Sequence, residues 1–122
     1  MGKIKIILID DDIYIQKLVK SVLSDEKFEL ILFSDAENIV ERITKYKPDI
    51  VLLDIKLHGK SGIEAIKEIK ENKEINKIPI IAFTSYTMKG DKEKFLNIGY
   101  DGYIGKPIDT HTFEGKILEY LK

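Results

Sequence analysis

The sequence predicts an α/β fold built on a parallel five-stranded sheet. Short apolar runs occur at 4–9, 28–33, 49–53, 78–83 and 102–105, and they alternate with helical patterns at 12–24, 36–46, 62–71, 89–98 and 109–121. The runs are apolar with little alternation, as in strands that helices cover on both faces. The first and third runs end directly at a carboxylate, Asp10 and Asp54. With 122 residues, the chain is long enough for one domain with a single core.

The first two helices have clear boundaries in the sequence. Apolar residues of the first helix recur every three or four positions and form one stripe toward the sheet: Ile15, Leu18, Val19, Val22 and Leu23. Asp12 is placed to cap this helix. Ser34 and Glu37 form a capping box that predicts the start of the second helix, and Lys47-Pro48 ends it.

The other stripes are shorter. They consist of Ile39, Val40 and Ile43 in the second helix, Ile63, Ile66 and Ile69 in the third, and Phe113, Ile117 and Leu121 in the last. Asp109 is expected to cap the last helix. The fourth helix has the least periodic pattern, because its opening contains Gly90 and its apolar face rests largely on Phe95 and Ile98.

Composition excludes several classes of function. The chain has 20 basic and 21 acidic residues and a net charge of −1, so neither nucleic acid nor a membrane surface is an expected partner. It has no cysteine, which excludes disulfides, thiol catalysis and thiolate metal sites. No apolar run approaches the roughly 18 residues of a transmembrane helix. The amino terminus enters strand-like sequence almost at once, leaving no room for a signal peptide, so we expect a cytoplasmic protein.

The carboxylates at the strand ends predict a metal site. Asp10, Asp11 and Asp12 follow the first run, and Asp54 follows the third. The carboxyl ends of parallel strands meet at one edge of the sheet, where open α/β folds bind ligands. Like charges gathered there repel one another, so the cluster is best explained by a hard cation such as Mg²⁺ with oxygen ligands at about 2.1 Å.

Two further polar residues end strand-like runs, Thr84 and Lys106, and complete a recognisable set. The motifs are Leu8-Ile9-Asp10-Asp11, Pro48-Asp49-Ile50-Val51-Leu52-Leu53-Asp54, Ala82-Phe83-Thr84-Ser85 and Tyr103-Ile104-Gly105-Lys106-Pro107. In this order and spacing the sequence resembles a response-regulator receiver domain (CheY-like) over essentially the whole chain, residues 1–122. The stretch from Met88 to Ile108 is further similar to single-domain receivers and to receiver modules of hybrid histidine kinases.

The resemblance implies a flavodoxin-like, doubly wound three-layer sandwich with strand order 2-1-3-4-5. It also implies that Asp54 is the phosphoacceptor, a carboxylate nucleophile that forms an aspartyl phosphate. By the same resemblance Asp11, Asp54 and the backbone carbonyl of Lys56 bind Mg²⁺ directly, and Asp10 acts mostly through a metal-bound water. Asp12 is interpreted as the helix cap.

The resemblance assigns roles to three more side chains, each with an ordinary alternative. Lys106 pairs with Asp54 before phosphorylation and with phosphoryl oxygens afterwards, although a strand-end lysine is usually only solvated; in this family the Lys106-Pro107 bond is often cis. Thr84 hydrogen-bonds a phosphoryl oxygen, or else caps the next turn. Tyr103 turns inward when Thr84 moves and so changes the surface of the fourth helix, fifth strand and fifth helix, or else is plain packing.

The implied partners are a sensor histidine kinase or histidine phosphotransfer protein and an unknown downstream protein. The chain would be a signalling switch, not an enzyme, catalysing only its own phosphorylation and dephosphorylation. No output domain is found, so the signal would leave by protein contact or phosphorelay unless the chain is part of a longer regulator. We expect a monomer or a weak dimer through the face of the fourth and fifth helices.

Some positions depart from the family pattern. His58 stands where a proline is usual four residues after the phosphoacceptor, which affects loop stiffness. Lys56 and Tyr86 border the route of attacking water, so their bulk should change the lifetime of the acyl phosphate. Gly59-Lys60-Ser61 is not a phosphate-binding P-loop, because its required first glycine falls on Asp54.

Two other functions compete with the receiver. Asp10 and Asp12 also form the Asp-x-Asp of haloacid dehalogenase-like phosphohydrolases, with Asp10 as nucleophile and Asp12 as general acid/base. That class would need a further acidic pair after the lysine and a cap domain, and the chain offers neither. A receiver-shaped module that is never phosphorylated is the other alternative, disfavoured because every chemical position is filled.

Overall fold

The structure is a computed structural model that describes residues 2–57, 59–85 and 90–121. The strands are β1 Ile4–Ile9, β2 Phe28–Phe33, β3 Ile50–Leu53, β4 Ile80–Thr84 and β5 Gly102–Gly105. The helices are α1 Ile13–Val22, α2 Ile39–Tyr46, α3 Gly62–Glu71, α4 Asp91–Ile98 and α5 Phe113–Glu119. Strands and helices alternate along the chain as predicted. β4 begins two residues later than the predicted 78–83 run and extends to Thr84.

The five strands form one parallel sheet in the order β2-β1-β3-β4-β5, which confirms the predicted topology. Ile9 lies opposite both Phe33 and Leu53, so β1, β2 and β3 end level with one another. Thr84 lies opposite Gly105 at the ends of β4 and β5. Because the strands are parallel and in register, the residues that follow them meet along one edge of the sheet.

Alternate residues of the central strands pack into two separate cores. Ile7, Ile9, Val51 and Leu53 face a core that α2, α3 and α4 complete. On the opposite face, Ile6, Leu8, Ile50 and Leu52 pack with buried residues of α1 and α5, namely Val19, Phe113 and Ile117. Each of these residues is at most 1% exposed. The result is the predicted flavodoxin-like three-layer sandwich, and its two cores hold the strand ends rigidly.

Local capping differs from the prediction at two helices. The Ser34–Glu37 capping box is wrong, since α2 begins at Ile39 and its N-cap, Asn38, makes no side-chain capping bond. The Ser34 hydroxyl instead accepts a hydrogen bond from Gln16 at 3.2 Å, and the Glu37 N–H donates to Asp35. Both groups of the expected capping box therefore have other partners: the Ser34 hydroxyl bonds to a residue of α1, and the Glu37 N–H bonds within a local turn.

Asp109 is likewise not the cap of α5. Its side chain accepts the N–H of His111, and its carbonyl accepts the N–H of Phe113, so it starts the turn that precedes the helix. Asp12 does cap α1 as predicted, accepting the N–H of Tyr14 at 2.9 Å and of Ile15 at 3.4 Å. Leu18, expected in the buried stripe of α1, is 37% exposed.

Across the described ranges, no helix has both the length and the apolar character that a bilayer crossing requires.

Candidate functional site

Three carboxylates meet at the carboxyl edge of the sheet. Asp10 and Asp11 follow β1, and Asp54 follows β3 directly beside them, where its N–H donates to the carbonyl of Ile9 at 2.9 Å. One oxygen from each of the three side chains lies within 4.8 Å of the others. Asp10 is fully buried, Asp54 is 7% exposed, and Asp11 is accessible to solvent. The described structure thus brings the predicted acids together in a cleft that is open on one side.

Lys106 brings a positive charge to this cluster from the end of β5. Its backbone N–H donates to the carbonyl of Thr84 at 2.8 Å, which fixes the end of β5 against β4. Its ammonium nitrogen lies 2.6 Å from Asp10 Oδ2 and 3.4 Å from Asp54 Oδ2. The Lys106–Pro107 peptide bond is cis. Asp10 is therefore the closer partner of Lys106, whereas the resemblance implied a pair with Asp54.

Asp10 has both carboxylate oxygens engaged within the protein. Oδ1 accepts the N–H of Asp12 at 2.9 Å, and Oδ2 accepts the Lys106 ammonium. The carbonyl of Asp10 accepts Gln16 Nε2 at 2.6 Å, which ties the end of β1 to α1. Asp12 turns away from the cluster to cap α1. The acids of the Asp10-Asp11-Asp12 run therefore have different structural roles.

The environment of Asp54 disfavours its charged form. The net effect raises the pKa of Asp54 to about 6, with burial as the largest cause and the negative charge of Asp10 acting in the same direction. The Lys106 ammonium and the N–H of Lys56, which donates to Asp54 Oδ1 at 3.2 Å, oppose this shift. The attraction of Lys106 is therefore too weak to offset the effects of burial and of Asp10 on the pKa of Asp54.

Thr84 and Tyr103 lie near the carboxylate cluster but differ in their burial and in the elements they contact. Thr84 is the last residue of β4 and is 2% exposed, next to the strand that carries Lys106. Tyr103 is half-buried in β5, and its ring packs on Phe95 of α4 with the centroids 6.0 Å apart. Thr84 therefore belongs to the edge where the acids lie, and Tyr103 belongs to the contact between β5 and α4.

Sequence analysis missed Tyr100 and Gly62, which pack behind Asp54. A Cβ on Gly62 would lie 2.3 Å from the carbonyl oxygen of Asp54 and 2.8 Å from the Tyr100 hydroxyl. That hydroxyl is buried and, among the described residues, has no hydrogen-bond partner. Burial, followed by the charge of Asp54, raises the pKa of Tyr100. The only sequence signal was the glycine at position 62, whose meaning depends on contacts distant in the chain.

Other predicted features lie outside the described residues. These are His58, Tyr86, Met88 and Lys89. The expectations about loop stiffness, the water route at Tyr86 and the opening of the fourth helix therefore stay predictions. The side chain of Lys56, the other residue expected to border that route, lines an open cavity of about 460 Å³ together with Asp11 and Ser61.

The donor set suits a hard divalent cation. It consists of carboxylate oxygens only, and these are the ligands that Mg²⁺ prefers. The charges suit it too, since three carboxylates cluster beside the ammonium of Lys106. The residues that could hold such an ion directly are Asp11 and Asp54.

Fold and site together define a doubly wound α/β protein with an acidic centre at the carboxyl edge of its sheet. The chain belongs to the response regulator receiver domain family, whose sequence model matches residues 6–118. The polar-differentiation response regulator DivK of Brucella anthropi is 32% identical over 116 residues, covering 95% of this chain and 94% of DivK. DivK of Brucella melitensis has the same identity and coverage.

Solved structures agree with this fold. The chemotaxis protein CheY4 of Vibrio cholerae is similar with a TM-score of 0.87 and 22% identity, over 98% of this chain and 100% of CheY4. The receiver domain of the sensor histidine kinase PA1611 from Pseudomonas aeruginosa, described with a magnesium ion coordinated in its active site cleft, has a TM-score of 0.86 and 24% identity over 98% of both chains. At these identities the two structures show the fold alone.

Family membership confirms the resemblance found in the sequence. The protein is a receiver domain of two-component signalling, and receiver domains are signalling modules, not enzymes in the ordinary sense. The phosphohydrolase alternative also loses its proposed general acid/base, because the Asp12 side chain caps α1.

Proposed function

We propose that residues 1–122 form one phosphoacceptor receiver, which takes a phosphoryl group from a phosphohistidine onto Asp54 with the help of Mg²⁺. Phosphorylation then changes the surface formed by α4, β5 and α5. The observation that carries this proposal is the convergence of Asp10, Asp11 and Asp54 with the Lys106 ammonium at one strand edge. Phosphoryl transfer depends mostly on positioning and on charge stabilisation, and this arrangement is suited to both.

Asp11, Asp54 and the backbone carbonyl of Lys56 are the proposed direct ligands of Mg²⁺. Both oxygens of Asp10 already accept hydrogen bonds, which favours an indirect role for Asp10 through water. When bound, Mg²⁺ supplies positive charge that offsets the repulsion between the carboxylates and an incoming phosphoryl group. The magnesium ion described for the PA1611 receiver domain is consistent with this assignment.

The proposed chemistry uses Asp54 as a nucleophile. One carboxylate oxygen forms the new bond to phosphorus as the bond between phosphorus and the histidine nitrogen breaks. The departing imidazole keeps that electron pair and leaves as a neutral ring, because its other nitrogen carries a proton. Lys106 lies 3.4 Å from Asp54 and can shift its hydrogen bond to a phosphoryl oxygen.

The switch is proposed to begin at Thr84, whose hydroxyl hydrogen-bonds a phosphoryl oxygen, and to pass to Tyr103. The contact between Tyr103 and Phe95 supports this step, since a movement of the Tyr103 ring must alter its packing on α4. Thr84→Val should therefore still form the aspartyl phosphate but lose the change in the Tyr103 amide chemical shift, while Thr84→Ser should keep both. Equal behaviour of the two variants would contradict the role of the hydroxyl.

The phosphodonor must bring its phosphohistidine to Asp54, so it must dock on the rim of this cleft. Side chains of α1 next to the acids expose apolar surface, with Ile13 58%, Tyr14 77% and Leu18 37% exposed. A histidine kinase or histidine phosphotransfer protein is the proposed donor. The receiver itself is expected to be a monomer or a weak dimer, and the downstream protein is unidentified.

Incubation with acetyl phosphate and Mg²⁺, followed by intact-mass analysis, tests the phosphoacceptor. We expect one phosphoryl adduct per chain, absent after chelation of Mg²⁺ and absent in Asp54→Asn. Asp12→Asn is the matched control and should retain the adduct. An adduct that survives Asp54→Asn overturns the assignment, and continuous phosphate release that depends on Asp10 and Asp12 would instead indicate a hydrolase.

A further inference from the structure

One side chain closes the outer edge of β5. The Tyr120 hydroxyl, at the end of α5, accepts the N–H of Tyr103 at 3.3 Å and donates to the carbonyl of Tyr103 at 3.2 Å. β5 is the last strand of the sheet, so this N–H and carbonyl point away from β4. A single hydroxyl thus satisfies the pair of backbone groups that a sixth strand would use.

The absence of a side chain at Gly102 allows Tyr120 to make this contact with β5. A Cβ at position 102 would lie 2.3 Å from the Tyr120 ring, so the ring can cross the strand only where there is no side chain. The ring therefore lies over the beginning of β5. Gly105 lies two residues after Tyr103, and because peptide groups alternate along a strand, it presents its N–H and carbonyl to the same edge.

A groove of about 460 Å³ runs along this edge between α4 and α5. Tyr103, Gly105 and Tyr120 are part of its wall. The charged residues that line it are Lys92, Lys106, Lys116 and Glu119. The Lys106 ammonium is paired with Asp10 in the acid cluster, so the charge of the groove comes from Lys92 and Lys116 against Glu119. This makes the groove locally basic, although the whole chain has a net charge of −1.

We propose that the outer edge of β5 is a docking site for an extended, acidic segment of another protein, which displaces the Tyr120 hydroxyl and adds to the sheet as a sixth strand. The segment must be extended because an α-helix has no free backbone groups along its side to pair with β5. It must be acidic because Lys92 and Lys116 flank the edge. The Tyr120 hydroxyl protects the edge until such a segment binds.

A second copy of this chain fits the edge less well. A two-fold dimer would place each groove against itself, so the lysines of one copy would face those of the other. The proposal concerns the same face as the proposed phosphorylation output but does not depend on phosphorylation. The test below uses no phosphodonor, so its failure is distinguishable from failure of the aspartyl-phosphate assignment.

The test is a titration at low salt with a blocked peptide of alternating valine and glutamate, about as long as a typical strand. The same peptide with lysine in place of glutamate is the control. Backbone amide chemical shifts report binding, and saturable changes are expected at Tyr103 and Gly105 with the glutamate peptide only. No saturable change at these amides up to about 1 mM peptide overturns the proposal, and so does equal binding of the two peptides.

Variants separate the two parts of the proposal. Tyr120→Phe keeps the ring but removes the hydroxyl, so the peptide should bind about fivefold more tightly because it displaces no hydrogen bonds. Unchanged affinity in Tyr120→Phe overturns the displacement, and concentration-dependent self-association of that variant would identify a second copy as the occupant.

The charge requirement is tested with Lys92→Gln/Lys116→Gln. This double variant should bind the glutamate peptide about tenfold more weakly at low salt, and the difference should shrink as salt increases. Lys67→Gln/Lys73→Gln removes two exposed lysines that do not line the groove, and it should bind like the original protein. Equal losses in the two double variants overturn the assignment of an acidic partner.

Discussion

Asp54→Asn should stabilise the protein when Mg²⁺ is removed. The wild-type cluster holds Asp10, Asp11 and Asp54 together with Lys106 as their nearby ammonium. An amide at position 54 keeps the shape of the side chain but removes one negative charge. Lys106 keeps its shorter contact with Asp10, 2.6 Å from Oδ2, so the substitution leaves no ammonium without a partner.

The size of the gain follows from the pKa of Asp54. Burial and the charge of Asp10 raise it from 3.8 to about 6. A difference of about two pH units corresponds to about 3 kcal/mol at 1.36 kcal/mol per unit. The variant should therefore gain up to about 3 kcal/mol of unfolding free energy at neutral pH. For a chain of this size, that gain raises the melting temperature by roughly 10 °C.

The pH dependence has a definite sign. Because the folded protein binds a proton at Asp54 more tightly than the unfolded chain, charging this group costs stability as pH rises from about 4 to about 6. Asp54→Asn has no such group to charge. The stability difference between the two proteins should therefore be small near pH 4, grow through this window, and stay constant at higher pH.

Urea unfolding of chelator-treated protein between pH 4 and pH 8 measures this difference. Asp25→Asn, on an exposed turn away from the cluster, is the control for the chemical change alone and should have little effect. Added Mg²⁺ should narrow the gap, because it stabilises the wild type and the variant lacks a proposed ligand. A variant that is less stable than the wild type at pH 7 without Mg²⁺, or a gap that is independent of pH, would refute the electrostatic reasoning.

Three further substitutions test the scaffold of the site, and a fourth serves as a control. Lys106→Met leaves the buried Asp10 carboxylate without its ion partner, so urea unfolding should show a loss of about 3–5 kcal/mol; a loss below about 1 kcal/mol contradicts that pairing. Asp12→Ala removes the cap of α1 and should cost about 1 kcal/mol, with formation of the acetyl phosphate adduct unchanged. Gly62→Ala places a Cβ 2.3 Å from a backbone carbonyl and should lower the melting temperature, whereas Gly115→Ala, in open space within α5, should raise stability by about 0.5–1 kcal/mol. Similar effects of the two alanines would contradict the close packing at position 62.

The sheet was predictable because its signal is local and repeated. Each strand is a short apolar run, and a parallel sheet buries such runs on both faces. The residues that end the runs, including Asp10, Asp54 and Lys106, could be assigned to one edge without knowing any distance, because parallel strands all present their carboxyl ends there. The predicted strand order followed from the family resemblance and not from the runs.

Helix starts were harder to predict, because a side chain that can cap a helix can also form hydrogen bonds with several other partners. Ser34 had the right spacing to cap α2, but Gln16 of α1, 18 residues earlier, reaches its hydroxyl. Asp109 is a residue type that often caps helices, but its side chain accepts the N–H of His111 in a turn before α5. Asp12 was predicted correctly, since its capping bonds run to Tyr14 and Ile15 and need no distant partner.

The parts of the site that sequence analysis missed all depend on contacts across the fold. Gly62 matters because the Asp54 carbonyl packs against it, and Tyr100 because its hydroxyl is buried behind the same segment. The closer approach of Lys106 to Asp10, at 2.6 Å against 3.4 Å to Asp54, also depends on how the ends of β1, β3 and β5 are placed in the fold. Residue type and spacing carry no information about these distances.

The metal-free site combines features that each reduce stability. Asp54 is buried beside Asp10, and the buried Tyr100 hydroxyl has no partner among the described residues. Fully buried strand residues on either side, such as Ile9 and Leu53, hold these groups in place despite the cost. We expect the same repulsion to favour binding of a cation, because an ion bound there would relieve it. We therefore expect an electrostatically unfavourable arrangement at the end of β3 if binding of the ion and phosphorylation of Asp54 are coupled.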